Sequence, residues 1–177
     1  PGAGADSFRA GTSAGANTQG ANSIAIGNVA GANTQGAGSI AIGQAAANTN
    51  QAIQSIAIGY YAGQSDQSSY SISLGYVAGR FTQATQAVAI GTAAGSYNQK
   101  SGAVAIGNAA GMGSTTVGDF QGANSVAVGA GAGQTTQGAT SVAVGYGAGY
   151  TTQGANSIAV GDRAGYTTQG SLSVAIG

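Results

Sequence analysis

Hydrophobic residues recur along this chain in short alternating tetrads. Residues 23–26, Ser-Ile-Ala-Ile, show the pattern, and a glycine closes each copy. Alternation with a period of two predicts a β-strand, with the aliphatic pair on one side and the small residues on the other. The closing glycines stand 16 residues apart, except for one interval of 22 residues between Gly107 and Gly129. The chain is therefore one repeated 16-residue unit with a single six-residue insertion within 113–120.

The length of the unit predicts the fold. Sixteen residues are too few for a strand, a helix and their turns, but they suffice for two short strands and two bends. Stacked units bury surface that a single unit cannot bury alone, so neighbouring copies are expected to pair in parallel. The sequence predicts an all-β protein with one domain over residues 1–177, a parallel β-solenoid (β-roll) of about ten coils.

The aliphatic pairs are the first candidates for the interior. Large aliphatic side chains at the same two positions of every unit would stack from coil to coil. We expect this core ladder to include Ile24, Ile26, Ile40, Ile42, Ile56, Ile58, Ile90, Ile106, Val126 and Val128.

One column of the repeat is always glutamine. Stacked identical amides can hydrogen-bond along the rod, whereas a buried amide without partners costs about 1–3 kcal/mol. We expect a structural glutamine ladder formed by Gln19, Gln35, Gln51, Gln67, Gln83, Gln99, Gln121, Gln137, Gln153 and Gln169.

The small residue between each aliphatic pair predicts assembly. If the aliphatic pair faces the interior, the small column faces outward, and a solvated face has no reason to exclude larger polar residues. A second copy of the chain covering this face would explain the restriction. The predicted oligomer interface, with Ala89 and Ala105 near its middle, comprises Ala25, Ala41, Ala57, Ala89, Ala105, Ala127, Ala143 and Ala159.

Composition argues against several kinds of function. Four basic residues balance four acidic ones, so no basic surface for nucleic acid is expected. No apolar run approaches the roughly 20 residues that cross a bilayer, so no membrane insertion is expected. The chain has no cysteine, histidine or glutamate, and its four aspartates lie in different units. We therefore expect no enzymatic activity, no cofactor and no metal site.

The tetrads support a family resemblance. Residues 23–27 (Ser-Ile-Ala-Ile-Gly) and 125–129 (Ser-Val-Ala-Val-Gly), each followed by an alanine three residues after the glycine, resemble the head repeats of trimeric autotransporter adhesins of the YadA type. Similar repeats occur in phage and giant-virus fibre proteins. The resemblance implies a left-handed β-roll, a trimer and a location on a cell or virion surface, although the unit here is longer than is usual in that family.

These features favour an extracellular structural or adhesive rod, with itself as partner and a host surface protein or glycan as a further partner. A self-assembling filament is one alternative, since the last coil ends at Gly177 without a cap, although Arg9 in the small column indicates an N-terminal cap. A solenoid that binds ice or glycan is the other. Paired threonines in the last three units suggest the ice surface. The candidate ligand contacts are the tyrosines Tyr60, Tyr76, Tyr146, Tyr150 and Tyr166.

Overall fold

The computed structural model describes residues 4–116, 118 and 120–177, which form a β-solenoid. Every strand pairs in parallel with the equivalent strand of a neighbouring coil, as in the register Val88↔Val104 and Ala89↔Ala105. No helix occurs among the described residues. The prediction of stacked coils about 16 residues apart is confirmed.

The tetrads form one sheet of eleven strands, which we call the first sheet. Its strands follow the order of the chain, because each coil adds one strand beside the last. They are β1 Phe8–Ala10, β3 Ile24–Ile26, β5 Ile40–Ile42, β7 Ile56–Ile58, β9 Ile72–Leu74, β11 Val88–Ile90, β12 Val104–Ile106, β13 Val126–Val128, β15 Val142–Val144, β17 Ile158–Val160 and β19 Val174–Ile176.

The glutamine positions form the opposite side of the roll in two shorter sheets. The five-stranded sheet contains β2 Thr18–Gln19, β4 Thr34–Gln35, β6 Thr49–Gln51, β8 Ser65–Gln67 and β10 Phe81–Gln83. The three-stranded sheet contains β14 Thr136–Gln137, β16 Thr152–Gln153 and β18 Thr168–Gln169. Isolated bridges Phe81↔Tyr97 and Gln121↔Gln137 lie between these two sheets. The insertion falls in this interval, and its residues Val117 and Asp119 lie outside the described residues.

The interior holds the small column and not the aliphatic one. Ala89 and Ala105 are 0% exposed in the single chain, whereas Leu74 is 41% and Ile106 is 38% exposed. The prediction that the aliphatic pairs form the interior is therefore wrong, because these side chains stack on the outside of the first sheet. This correction applies to Ile24, Ile26, Ile40, Ile42, Ile56, Ile58, Ile90, Ile106, Val126 and Val128.

The predicted oligomer interface is wrong for the same reason. A residue with no exposed surface in its own chain cannot contact a second copy. The correction covers Ala25, Ala41, Ala57, Ala89, Ala105, Ala127, Ala143 and Ala159, all of them buried. The cause is space, because the glutamine of the opposite strand extends into the roll and leaves room only for methyl groups and hydroxyls. Interior packing at this density does not tolerate an added isobutyl group.

Buried alanines and serines complete the narrow core. A second alanine column, represented by Ala62, Ala94 and Ala110, is also 0% exposed. A serine opens every tetrad except the two that begin with Ala87 and Ala103, and it folds back on the preceding bend, as when Ser39 Oγ donates to the Gly36 carbonyl at 2.6 Å. Ser73 replaces alanine in the small column, and its Oγ donates to Gln83 Oε1 at 2.7 Å. These buried hydroxyl groups are thus hydrogen-bonded within the roll, as burial requires.

The closing glycines are required by the bend after each first-sheet strand. Gly91 has a φ of 124°, a conformation that side chains avoid. A Cβ built on Gly91 would lie 2.7 Å from the carbonyl oxygen of Gly107 in the next coil. Both the angle and the close stacking of backbones exclude any other residue.

Candidate functional surfaces

The outward side of the first sheet is apolar along the whole rod. Its ten full tetrads present only Ile, Leu or Val at the two outward positions, and β1 presents Phe8 and Ala10. Stacking covers part of each side chain, but Ile158 and Val160 still expose 41% and 38% of their surface. We call these two columns the aliphatic face.

The outward side of the glutamine-bearing strands is polar. Thr34, Asn50 and Asp66 are exposed there, and Asn50 Nδ2 donates to Asp66 Oδ1 of the next coil at 2.9 Å. Nearby, Asn17 Nδ2 donates to Asn33 Oδ1 at 2.8 Å. The two sides of the roll therefore differ in chemistry, one being apolar and the other polar.

The glutamine ladder lies inside the roll. Gln83 Nε2 donates to Gln99 Oε1 at 3.0 Å, and Gln99 Nε2 donates to Gln121 Oε1 at 3.0 Å. The same bond links Gln51 to Gln67, Gln67 to Gln83 and Gln137 to Gln153. The bond from Gln99 to Gln121 spans the insertion, so the insertion leaves the interior in register.

Each ladder amide also ties the two sides of the roll together. Gln99 Nε2 donates to the Val88 carbonyl of the first sheet at 2.8 Å, and Gln35 Nε2 donates to the Ile24 carbonyl at 2.6 Å. The amide–amide bond is not universal, because the buried Oε1 atoms of Gln19 and Gln35 accept no hydrogen bond from the described residues. The bond from the glutamine amide to the facing strand is therefore the more regular of the two interactions.

The predicted tyrosines separate into two clusters. Tyr60 and Tyr76 stack with ring centroids 5.4 Å apart, and Tyr61 meets Tyr60 edge to face. A hydrogen bond with Tyr61 is the largest effect that raises the pKa of the Tyr60 phenol above its ordinary value of 10.0. Tyr61 occupies the bend position two residues after Gly59.

The second cluster lines a groove. Tyr150 and Tyr166 stack with centroids 4.8 Å apart, and Tyr146 stands across from them with 59% of its surface exposed. The cavity has a volume of about 240 Å³. Its other lining residues are Asn108, Ala109, Ala130, Gly131, Gln134 and Gly147. We call this the tyrosine groove.

Two glycines form the floor of the tyrosine groove. A Cβ built on Gly131 would lie 3.2 Å from the Tyr150 ring, and one built on Gly147 would lie 3.1 Å from the Tyr166 ring. Arg163 is the next residue of this column, and its guanidinium carbon lies 5.8 Å from the Tyr146 ring centroid and 5.9 Å from that of Tyr166. The arginine therefore closes one end of the groove.

Sequence reasoning found the tyrosines but missed Gly131, Gly147, Gln134 and Arg163. A signal for them exists, because the position two residues after the closing glycine carries a side chain in every described coil except those two. Reading this column alone does not reveal a groove, since its walls come from two other columns.

Other predicted features are placed without forming a reactive site. The second threonine of each pair begins a strand of the three-stranded sheet and the first directly precedes it, with Thr151, Thr152, Thr167 and Thr168 exposed. Within the described part of the chain, no three residues of the types His, Cys, Asp and Glu come together as a metal site. The same part contains no helix long and apolar enough to span a membrane.

Comparisons with known proteins add no relative. No protein-family model, curated protein or solved structure matches the chain.

Proposed function

We propose that this protein is a non-catalytic structural or adhesive rod that assembles with copies of itself through the aliphatic face. One observation carries the proposal: an apolar stripe runs along one side of the roll, while the opposite side is polar. Ten strand intervals of about 4.8 Å give this stripe a length on the order of 50 Å. Contiguous apolar surface of this kind marks an interface.

The repeat itself favours a second copy as the occupant. Side chains on the aliphatic face recur once per coil, so its best complement is an apolar surface with the same spacing, which the chain itself supplies. With a width of about 10 Å, two such faces would bury on the order of 1,000 Å², the size at which specific interfaces begin. The resemblance to trimeric adhesin heads adds a trimer and an exposed position on a cell or virion surface to the proposal.

Self-association can be tested with two lysines on the aliphatic face. Ile90 and Ile106 are neighbours in register on β11 and β12. We expect the double variant Ile90→Lys and Ile106→Lys to sediment as a folded monomer with an unchanged circular dichroism spectrum. Desolvating two adjacent like charges would cost more than the contact returns. The unaltered chain should sediment as a homo-oligomer at micromolar concentration.

A matched control uses the polar side. Thr18 and Thr34 are exposed neighbours in register on β2 and β4, so replacing both with lysine adds the same charge there. This variant should keep the oligomer. A parent chain that sediments as a folded monomer, or an Ile90 and Ile106 variant that keeps the oligomer, would refute the proposal. A third variant, Ala89→Lys, should unfold the coil instead of releasing monomers, because Ala89 is fully buried.

A further inference from the structure

The tyrosine groove forms where residues depart from the repeat, and stacking of the coils does not require these departures. Elsewhere in the floor column Val29, Tyr61 and Val77 place a side chain over the bend, whereas at Gly131 and Gly147 the rings of Tyr150 and Tyr166 take that space. The two glycines stand in consecutive coils, and the aromatic residues Tyr150 and Tyr166 lie against them. Two adjacent departures that seat a tyrosine stack on bare backbone, beside a cavity that Tyr146 also lines, indicate a binding site.

The groove combines ring surfaces with a few polar atoms. Tyr146, Tyr150 and Tyr166 supply the apolar surface, and each phenol carries a polar tip. Asn108 and Gln134 add amides. Gln134 Oε1 is buried and accepts no hydrogen bond from the described residues, and it is the one such atom outside the glutamine ladder. A buried acceptor without a donor is unfavourable, so a rotation of the Gln134 amide toward a ligand that donates a hydrogen bond is favoured.

We propose that the tyrosine groove binds a single pyranose ring of a glycan. A pyranose has a face of C–H groups that packs on tyrosine rings, and hydroxyl groups around its edge that donate to Gln134 Oε1 and Asn108. An aromatic side chain of a peptide fits less well, because it carries at most one donor. The volume of about 240 Å³ is below the roughly 300–1,000 Å³ of sites for drug-sized ligands, so one sugar ring fits.

Arg163 is a positioning residue in this site. Its guanidinium carbon lies within 6 Å of the ring centroids of both Tyr146 and Tyr166, so it contacts two of the groove's three tyrosines at one end. None of the groove residues belongs to the aliphatic face. Sugar binding and self-association are therefore separate properties and are measured separately.

The test is saturation-transfer difference NMR on the whole chain with methyl glycosides of glucose, galactose, mannose and N-acetylglucosamine at millimolar concentration. We expect at least one glycoside to receive saturation. In the double variant Gly131→Ala and Gly147→Ala its affinity should fall roughly tenfold, a loss of about 1.4 kcal/mol. Alanine occupies this column in other coils, at Ala93 and Ala109 with φ of 56° and 54°, so the variant should fold.

Two further variants keep the result decisive. Tyr166→Ala removes one wall at an exposed position and should also weaken binding. Tyr76→Ala is the matched control, since Tyr76 stacks in the other cluster and occupies the same column as Tyr146. The proposal is overturned if no glycoside binds, if both groove variants bind as well as the parent, or if N-acetyltyrosine amide binds more tightly than every sugar.

Discussion

Leucine replacements in the glutamine ladder measure how much the interior amide bonds stabilise the roll. The informative pair is Gln83 and Gln99, whose side chains share a hydrogen bond of 3.0 Å. Gln19 and Gln35 are the reference pair, because they stand in the same column of adjacent coils and share no such bond. Each pair is replaced singly and together, so that a double-mutant cycle isolates its interaction.

The structure sets the expected coupling energy. Gln83→Leu leaves the buried Gln99 Oε1 without its donor, at a cost of about 1–3 kcal/mol. In the double variant that stranded oxygen no longer exists, so the two changes together should destabilise the protein by about 1–3 kcal/mol less than their sum. Both members also lose a bond to the first sheet, at 2.8 Å in each case, but this loss is additive. For Gln19 and Gln35 the coupling should be within about 0.5 kcal/mol of zero.

The assay is equilibrium unfolding in guanidinium chloride, followed by far-ultraviolet circular dichroism, for all four members of each cycle. The denaturant slope should stay constant, so that changes in midpoint report stability. Equal coupling energies in the two cycles would show that the amide–amide bond contributes nothing measurable. The ladder would then act only through its links to the facing strand.

Two other predictions concern the bends. Gly91→Ala should lower the unfolding midpoint sharply, since its Cβ would lie 2.7 Å from the Gly107 carbonyl oxygen. Gly38→Ala should lower it much less, because a Cβ there meets only a side-chain carbon at 3.4 Å, and Asn22 and Gln54 adopt a similar positive φ in the same column. Thermal unfolding compares the two, and similar losses would contradict the backbone-stacking argument. Tyr61→Phe should lower the pKa of Tyr60 toward 10.0, because the hydrogen bond that raises it is lost. Ultraviolet titration of the phenols checks the direction of the shift. The difference between each chain and the same chain carrying Tyr60→Phe isolates the ionisation of Tyr60, and an unchanged Tyr60 titration would contradict the prediction.

The repeat determined the fold because its evidence is local and repeated. A strict 16-residue period with two-residue alternation allows few structures other than a parallel solenoid. The strands at residues 24–26 and 40–42 and the glutamine ladder could therefore be predicted from the sequence. The same regularity shows which residues share a column.

Only the tertiary structure decided which side of each strand is inside. The alternating pattern predicts that Ile24 and Ala25 point in opposite directions, but it does not show which of them faces the opposite strand. The enclosed volume settles this, because the side chain of Gln35 crosses the roll to the Ile24 carbonyl and leaves space for a methyl group alone. The tyrosine groove depends on tertiary structure for a related reason. Its residues extend over four coils from Asn108 to Tyr166, and a cavity exists only where the space between stacked coils stays unfilled.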